Sequence, residues 1–240
     1  LIPTAVGLVY FARSKGTLSF TKPKWKGAVI WESCFNGSSE MVSQLAAAVT
    51  TFLFNRTMMH LLGEDGVAAI TIIIYSQFLL NTLYIGFSIG VAPIIGFHYG
   101  NKNDVQQKKV FSISMRFIAA ASVVLFLGSI FGGSRIVRLF AEETSEVYRI
   151  AADGFAIFSY SFLFCGLNSF TSAMFTALSN GKLSAVLSFL RTFGLLTGGI
   201  LLLPRIWGIT GVWLAVPVAE GIMAAVSAIF LAHYRKRYAY

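Results

Sequence analysis

VAAITIIIYSQFLLNTLYIGFSIGVAPIIGFHY, residues 67–99, contains no Asp, Glu, Lys or Arg. As a straight helix rising 1.5 Å per residue it would be about 50 Å long, well beyond the ~30 Å hydrocarbon core of a bilayer. Its apolar residues do not alternate, and it far exceeds the ~10 residues of a membrane barrel strand. A stretch of this kind satisfies its backbone without water only as a helix, and at this length it must tilt, protrude or break.

Five further stretches repeat the pattern, at 41–62, 110–131, 150–178, 183–203 and 208–232, most with one charge or none. The whole chain is 56% hydrophobic and 12% charged, with a mean hydropathy of +0.71, whereas soluble domains carry roughly a quarter charged residues. The fold class that follows is all-α, a polytopic membrane bundle of six transmembrane helices.

The net charge of +9 would suggest nucleic acid in a soluble protein, but its placement points to the membrane surface. Lys15, Lys22, Lys24 and Lys26 precede the first span, and Lys102, Lys108 and Lys109 follow the second. Lys182 follows the fourth span, and Lys236 lies in the tail. These segments share one side, whereas the connections around Glu64 and Asp65, over 132–149, and around Arg205 hold no lysine. The positive-inside rule makes the lysine-bearing side cytoplasmic. The expected location is the cell membrane, as a multi-pass protein, the inner membrane in a bacterium.

Residues 1–11 are too short to cross a bilayer and read as the end of a truncated preceding transmembrane helix. Residues 12–36 read as a basic cytoplasmic linker, 37–232 as the six-helix lobe, and 233–240 as a basic cytoplasmic tail. Ser38 or Ser39 suits the N-cap of the first full span, and Thr144 or Ser145 that of the fourth. Residues 134–140 suit a short interfacial helix. Cys34 and Cys165 imply no disulfide.

Pro93 removes a backbone donor inside the second span, and with Gly90 and Gly96 it makes a candidate hinge. Gly86 with Gly90, and Gly194 with Gly198, have the small-xxx-small spacing of close helix contacts.

A polar side chain inside a span is costly and so a functional candidate. Glu220 is the deepest carboxylate. Two readings stand open for it: a proton-taking group in a cavity, or the partner of Arg191 on the neighbouring span. Asp153 has Arg149 at helical spacing, and Arg56 with His60 can reach an interface. Gln44, Gln77, Asn81 and Asn168 with Tyr84 offer hydrogen bonds, and Phe164 an aromatic face, as expected where a lipophilic cation is held in a cleft. Neither His60 nor His98 has metal-ligand company, so no metal site or cofactor is expected. HExxH, GxSxG and P-loop patterns do not occur, so no catalytic residue is proposed and no enzyme is expected.

Local blocks narrow the class further. Asn36-Gly37-Ser38-Ser39 opens a span, and Gly63-Glu64-Asp65-Gly66-Val67-Ala68-Ala69 closes it. Gly90 to Gly100, Phe175-Thr176-Ala177-Leu178-Ser179-Asn180-Gly181-Lys182, Ser188-Phe189-Leu190-Arg191, and Gly208-Ile209-Thr210-Gly211-Val212-Trp213-Leu214-Ala215 follow in order. Together they resemble the C-terminal half of a multidrug and toxic compound extrusion (MATE) transporter. The resemblance implies two six-helix lobes with a substrate cleft between them, so that this chain partners membrane lipid, a cationic small molecule and a missing N-terminal lobe. It implies efflux of cationic, amphipathic compounds by proton or sodium antiport with alternating access.

Some relatives carry coupling carboxylates on the seventh and tenth helices, where this sequence has Gln44 and Asn168. Amides do not take up protons, so the coupling ion, H+ or Na+, is expected mainly in the missing lobe, with Glu220 as the local rival. The alternative within the same superfamily is a flippase for lipid-linked saccharides, which would need a cationic cavity; Arg56, Arg116 and Arg191 keep it open.

Single cysteines replacing Lys102 and Lys236 should both react with a membrane-impermeant maleimide only after the cytoplasmic face is opened. Labelling of one from outside intact cells would overturn the topology.

Overall fold

The computed structural model describes residues 9–10, 25–238 and 240. The chain divides into two units, Leu1–Cys34 and Phe35–Tyr240. The first is described only at Val9 and Tyr10, which are helical, and from Trp25 onward; the truncated-helix reading of 1–11 thus lies almost wholly outside the described residues. The elements are α1 (Gly27–Gly100), α2 (Asp104–Arg138), α3 (Glu146–Phe158), α4 (Phe162–Ala177), α5 (Gly181–Phe189) and α6 (Thr197–Tyr238). A 3-10 turn, Ser159–Ser161, joins α3 to α4, and a π-helical segment, Leu190–Leu196, joins α5 to α6.

Among the described residues four helical runs are long and apolar enough to cross a membrane, including Gln44–Gly100 and Gly181–Arg235. Each of these two is a pair of spans. α1 contains one non-helical residue, Gly63 (φ 65, ψ −148), and α6 one, Gly208 (φ 54, ψ −131). Positive φ is easy only for glycine. In an unbroken helix Met58 and Gly66 would lie about 12 Å apart, yet a methyl on Gly66 would stand 3.0 Å from the Met58 carbonyl oxygen. At Gly211 a methyl would stand 2.2 Å from the Leu203 carbonyl oxygen. The chain therefore folds back at both sites, through the same pattern: Gly63-Glu64-Asp65-Gly66-Val67 and Gly208-Ile209-Thr210-Gly211-Val212. One glycine turns the backbone, and another three residues on lets the arms touch. Six crossings result, as the sequence predicts.

On the lysine-bearing side the turns share another device. Lys102 (φ 53) and Ser179 (φ 57) adopt the left-handed conformation, and each is followed by an asparagine N-cap. Asn103 accepts from the Gln106 N–H at 3.2 Å, and Asn180 from the Leu183 N–H at 3.3 Å. Ser145 caps α3, accepting from the Tyr148 N–H at 3.2 Å.

Several expectations are corrected. Helix begins at Gly27, so the end of the 12–36 stretch is helical rather than linker, and neither Ser38 nor Ser39 starts a helix. Pro93 does not break its helix, since Gly90, Pro93 and Gly96 all keep helical geometry; without competing water, one missing backbone bond does not end a long membrane helix. The hinge reading of these residues concerns movement and is not touched by this. Residues 134–138 are the last turns of α2, not a separate interfacial helix. Arg149 bonds Glu146 one turn back, its Nε donating to Oε2 at 3.1 Å, and not Asp153. That guanidinium holds the Glu146 carboxyl below the usual carboxylate range.

Two large apolar clusters, with a small third of Tyr84, Ala121 and Cys165, form the core among the described residues of Phe35–Tyr240. One gathers Phe54, Met58, Ile70, Phe155, Phe158, Val212 and Trp213 near the Gly63 and Gly208 turns. The other gathers Ile95, Phe170, Met174, Phe175, Leu187, Met223 and Leu231 toward the asparagine-capped turns. Aromatic rings seat against glycines: a methyl would lie 2.7 Å from the Trp213 ring at Gly154 and 2.7 Å from the Tyr84 ring at Gly166. Gly86, Gly90 and Gly198, by contrast, face open space, so the predicted small-xxx-small contacts are not made among the described residues.

Gly211→Ala should cost about 3 kcal/mol or more, because backbone must move, and should reduce the yield of monodisperse protein by size-exclusion chromatography. Gly86→Ala should be neutral or stabilising by up to about 1 kcal/mol, read as an unchanged or raised unfolding temperature.

Candidate functional site

Between the two apolar clusters, at the middle of three crossings, lies a network of buried polar side chains. On α4, Phe162 belongs to one cluster and Phe170 to the other, with Asn168 and Ser169 between them. On α6, Val216 and Met223 bracket Glu220 in the same way. The third crossing contributes Arg191 from the π-helical segment. Such wide turns interrupt the α register and recur at functional sites.

The geometry accounts for nearly every donor and acceptor. Arg191 donates to Glu220 Oε1 from Nε at 2.8 Å, with Nη2 at 2.7 Å from the same oxygen. Asn168 Nδ2 donates to Glu220 Oε2 at 2.7 Å and to the Glu220 carbonyl oxygen at 3.0 Å. The Asn168 amide oxygen accepts from the Ser227 hydroxyl at 2.9 Å, and Arg191 Nη1 donates to Ser169 Oγ at 3.3 Å. Cys165, one turn before Asn168 and Ser169, is fully buried in contact with Tyr84 and Ala121.

The side chain of Glu220 is 7% exposed and that of Arg191 25%. Desolvating two charges costs several kcal/mol per ion, offset only where geometry is good and the remaining lone pairs are satisfied. Here both carboxylate oxygens are engaged by donors. Of the two readings left open for Glu220, the geometry shows the ion pair with Arg191.

A second polar seam extends from Arg191 toward the Ser179 turn. Ser172 Oγ lies 2.8 Å from Ser184 Oγ and 3.1 Å from Ser188 Oγ, and Thr176 donates to Ser184 Oγ at 2.8 Å. These hydroxyls clamp α4 to α5, as Ser and Thr do between membrane helices.

Of the residues singled out from sequence, the structure brings Asn168 and Glu220 together. Phe164 is half-buried and its ring approaches Gly221, where a methyl would meet it at 3.6 Å. Tyr84 is 1% exposed, and its hydroxyl donates to the Phe162 carbonyl oxygen at 2.8 Å with Ser122 Oγ at 3.2 Å. Gln44 is exposed on the first arm of α1, and Gln77 and Asn81 are half-buried on the second. The Asn81 amide oxygen is buried without a hydrogen-bond partner, as are Thr50 Oγ1, Asn55 Oδ1, Ser76 Oγ and Ser88 Oγ, all on α1. Ser169, Ser227 and the Ser172–Ser188 seam were missed from sequence. Their signal was spacing: Ser169, Ser172 and Thr176 against Ser184, Ser188 and Arg191 each repeat at three or four residues. Among the described residues no group of His, Cys, Asp and Glu is arranged to hold a metal ion.

Residues 41–197 match the MatE family profile. No curated protein matches the chain. Among solved structures, an outward-facing multidrug-resistance MATE transporter of the MOP superfamily superposes with a TM-score of 0.86 at 18% identity, covering 99% of this chain and 54% of its own. A MOP-superfamily transporter from Pyrococcus furiosus, described by a reversed polarity of its binding pocket, gives 0.86 at 17% identity, covering 98% and 53%. A Vibrio cholerae MATE transporter gives 0.84 at 19% identity, covering 98% and 54%. The chain thus spans about half the length of these transporters, and at such identities the likeness establishes the fold.

Arg191→Met strands a carboxylate between apolar clusters and should destabilise the protein by about 3–5 kcal/mol. Arg191→Met combined with Glu220→Leu should recover much of that loss in thermal unfolding. A double variant no more stable than the single would show that the pair contributes more than charge compensation.

Proposed function

The chain belongs to the MatE family, and from that membership we propose that it forms one lobe of a secondary-active exporter of cationic, amphipathic compounds, working by alternating access. The observation that carries this reading is the fit of nearly the whole chain onto half of a transporter chain. The proposed setting is a bacterial inner membrane, with the asparagine-capped turns and the tail on the cytoplasmic side, and the activity is non-enzymatic.

Within this reading the lobe divides its labour. The network of Glu220, Arg191 and Asn168 holds three crossings together, while α1 carries amide side chains at Gln44, Gln77 and Asn81. A lipophilic cation needs a few anchors in an otherwise apolar and aromatic wall. Gln44, Gln77 and Asn81 on α1 serve as those anchors, with Phe164 as an aromatic face; Tyr84 and Asn168, both buried, support the wall rather than meet the substrate. The coupling ion, proton or sodium, binds mainly in the second lobe. This follows from the commitment of Glu220: with a guanidinium on one oxygen and an amide on the other, it is poorly placed to exchange a proton with each cycle.

The flippase reading is the less favoured: of the three arginines that kept it open, Arg191, the one at mid-span, is occupied by Glu220.

The test is extrusion of ethidium by the intact protein in an efflux-deficient host, with imposed proton or sodium gradients. The expected result is gradient-dependent efflux, reduced several-fold by Asn81→Ala. Glu220→Gln should leave the pH profile of transport unshifted, whatever it does to expression. Absence of efflux under both gradients would overturn the proposal, and a displaced profile would return the coupling role to Glu220.

A further inference from the structure

On the lysine-bearing side a cavity of about 370 Å³ opens between α2 and the end of α6, lined by Lys108, Phe111, Met115, Arg116, Arg235 and Tyr240 among others. Its chemistry is not that of a substrate cleft for cations. Three cationic side chains converge on it, and no carboxylate side chain is among its lining residues. Lys108, Phe111 and Met115, and alongside them Lys108, Ser112 and Arg116, recur at three- and four-residue intervals, which places them on one broad face of α2. Lys108, Arg116 and Arg235 are exposed, whereas Phe111 and Met115 are half-buried.

The tail completes the cavity. Tyr240 is 4% exposed; its ring lies 4.6 Å from that of Phe111, and its hydroxyl donates to the Leu231 carbonyl oxygen at 2.9 Å. Arg235 Nε donates to the Tyr240 carbonyl oxygen at 3.2 Å, which engages one of the five N–H donors of the guanidinium. Chain that would otherwise trail into solvent is thus folded back to form an apolar floor beneath a cationic rim.

We propose that this cavity binds the phosphodiester headgroup of an anionic phospholipid of the cytoplasmic leaflet. Three features select that class of ligand. The lining side chains carry three cations and no carboxylate, and Lys108 and Arg116 on α2 supply charge beyond Arg235, which the Tyr240 main-chain oxygen engages. The cavity lies where the lysine-rich turns place the headgroup layer, where basic pockets between helices bind anionic lipid heads. The floor of Phe111 and Met115 continues along α2 toward the hydrocarbon, so an amphiphile gains contacts that a free phosphate does not. Arg116, deeper along the helix, reaches back to the same level as long cationic side chains do.

The intact protein, delipidated in detergent, is titrated with phosphatidylglycerol, with phosphatidylcholine and with inorganic phosphate, and thermal stabilisation is read. Phosphatidylglycerol should stabilise saturably, and the other two should not. Lys108→Gln with Arg116→Gln should weaken the phosphatidylglycerol response by about thirty-fold, at roughly five-fold per cation. Lys102→Gln with Lys109→Gln removes the same charge outside the cavity and should leave the response unchanged. Lys108→Arg with Arg116→Lys should retain it, which guards against a folding defect in the glutamine pair. Equal stabilisation by phosphatidylcholine would overturn the proposal, as would a match by free phosphate or an equal loss in the control pair.

Discussion

A bilayer interior offers no water to a backbone amide or carbonyl, and each such group left unpaired there costs several kcal/mol. This constraint, more than any side-chain contact, fixes what the chain becomes. It forces every apolar stretch into helix, and it confines reversals to places where a turn can satisfy its own backbone. Gly63 and Gly208 reverse the chain with a positive φ, whereas Lys102 and Ser179 do so ahead of asparagine caps. The same constraint explains why Pro93 leaves its helix intact: once water is excluded, the alternatives to a helix with one missing bond are all worse.

What holds for the backbone holds for side chains, and here the chain departs from economy. A core of Leu and Phe at the level of Glu220 would have avoided a desolvation cost, yet this level carries a carboxylate, a guanidinium, an amide and hydroxyls. Because they are mutually satisfied, their relative positions are fixed more tightly than apolar packing would fix them. Any slip of α4 against α6, or rotation of the π-helical segment, breaks a charge-assisted bond in surroundings that offer no substitute. The network therefore sets the register of three crossings. Apolar clusters above and below supply the bulk of the contact but little of the uniqueness, since Leu, Ile and Phe tolerate sliding that an ion pair does not.

The spans were legible in the sequence because solvent alone dictates them: the stretch at 67–99 admits one reading. The positions of the turns were less so. Two Gly-x-x-Gly-Val segments stand in plain view, but Pro93 drew attention as a breaker because its effect in water is stronger than its effect in lipid. Glu220 and Arg191 were recognisable as buried charges, and their pairing stood open beside a cavity reading. Settling it required knowing the rotation of two helices to within about a quarter turn, and the π-helical segment that sets Arg191 has no composition of its own. Counting helical positions placed Asn168 beside the cleft; the fold turns it inward, where its amide nitrogen donates to both the carboxylate and the backbone carbonyl oxygen of Glu220.

Where the interior is this well satisfied, the polar atoms left over become informative. Asn55, Ser76, Asn81 and Ser88 each keep a buried oxygen without a partner, and all lie on α1. α4 and α6 show the opposite at their middles, where the donors and acceptors of Asn168, Arg191 and Glu220 are matched. Further unmet oxygens lie on α2, at Gln107 and Ser129, and in the 3-10 turn, at Ser161, so α1 holds most but not all of the hydrogen-bonding capacity left over among the described residues.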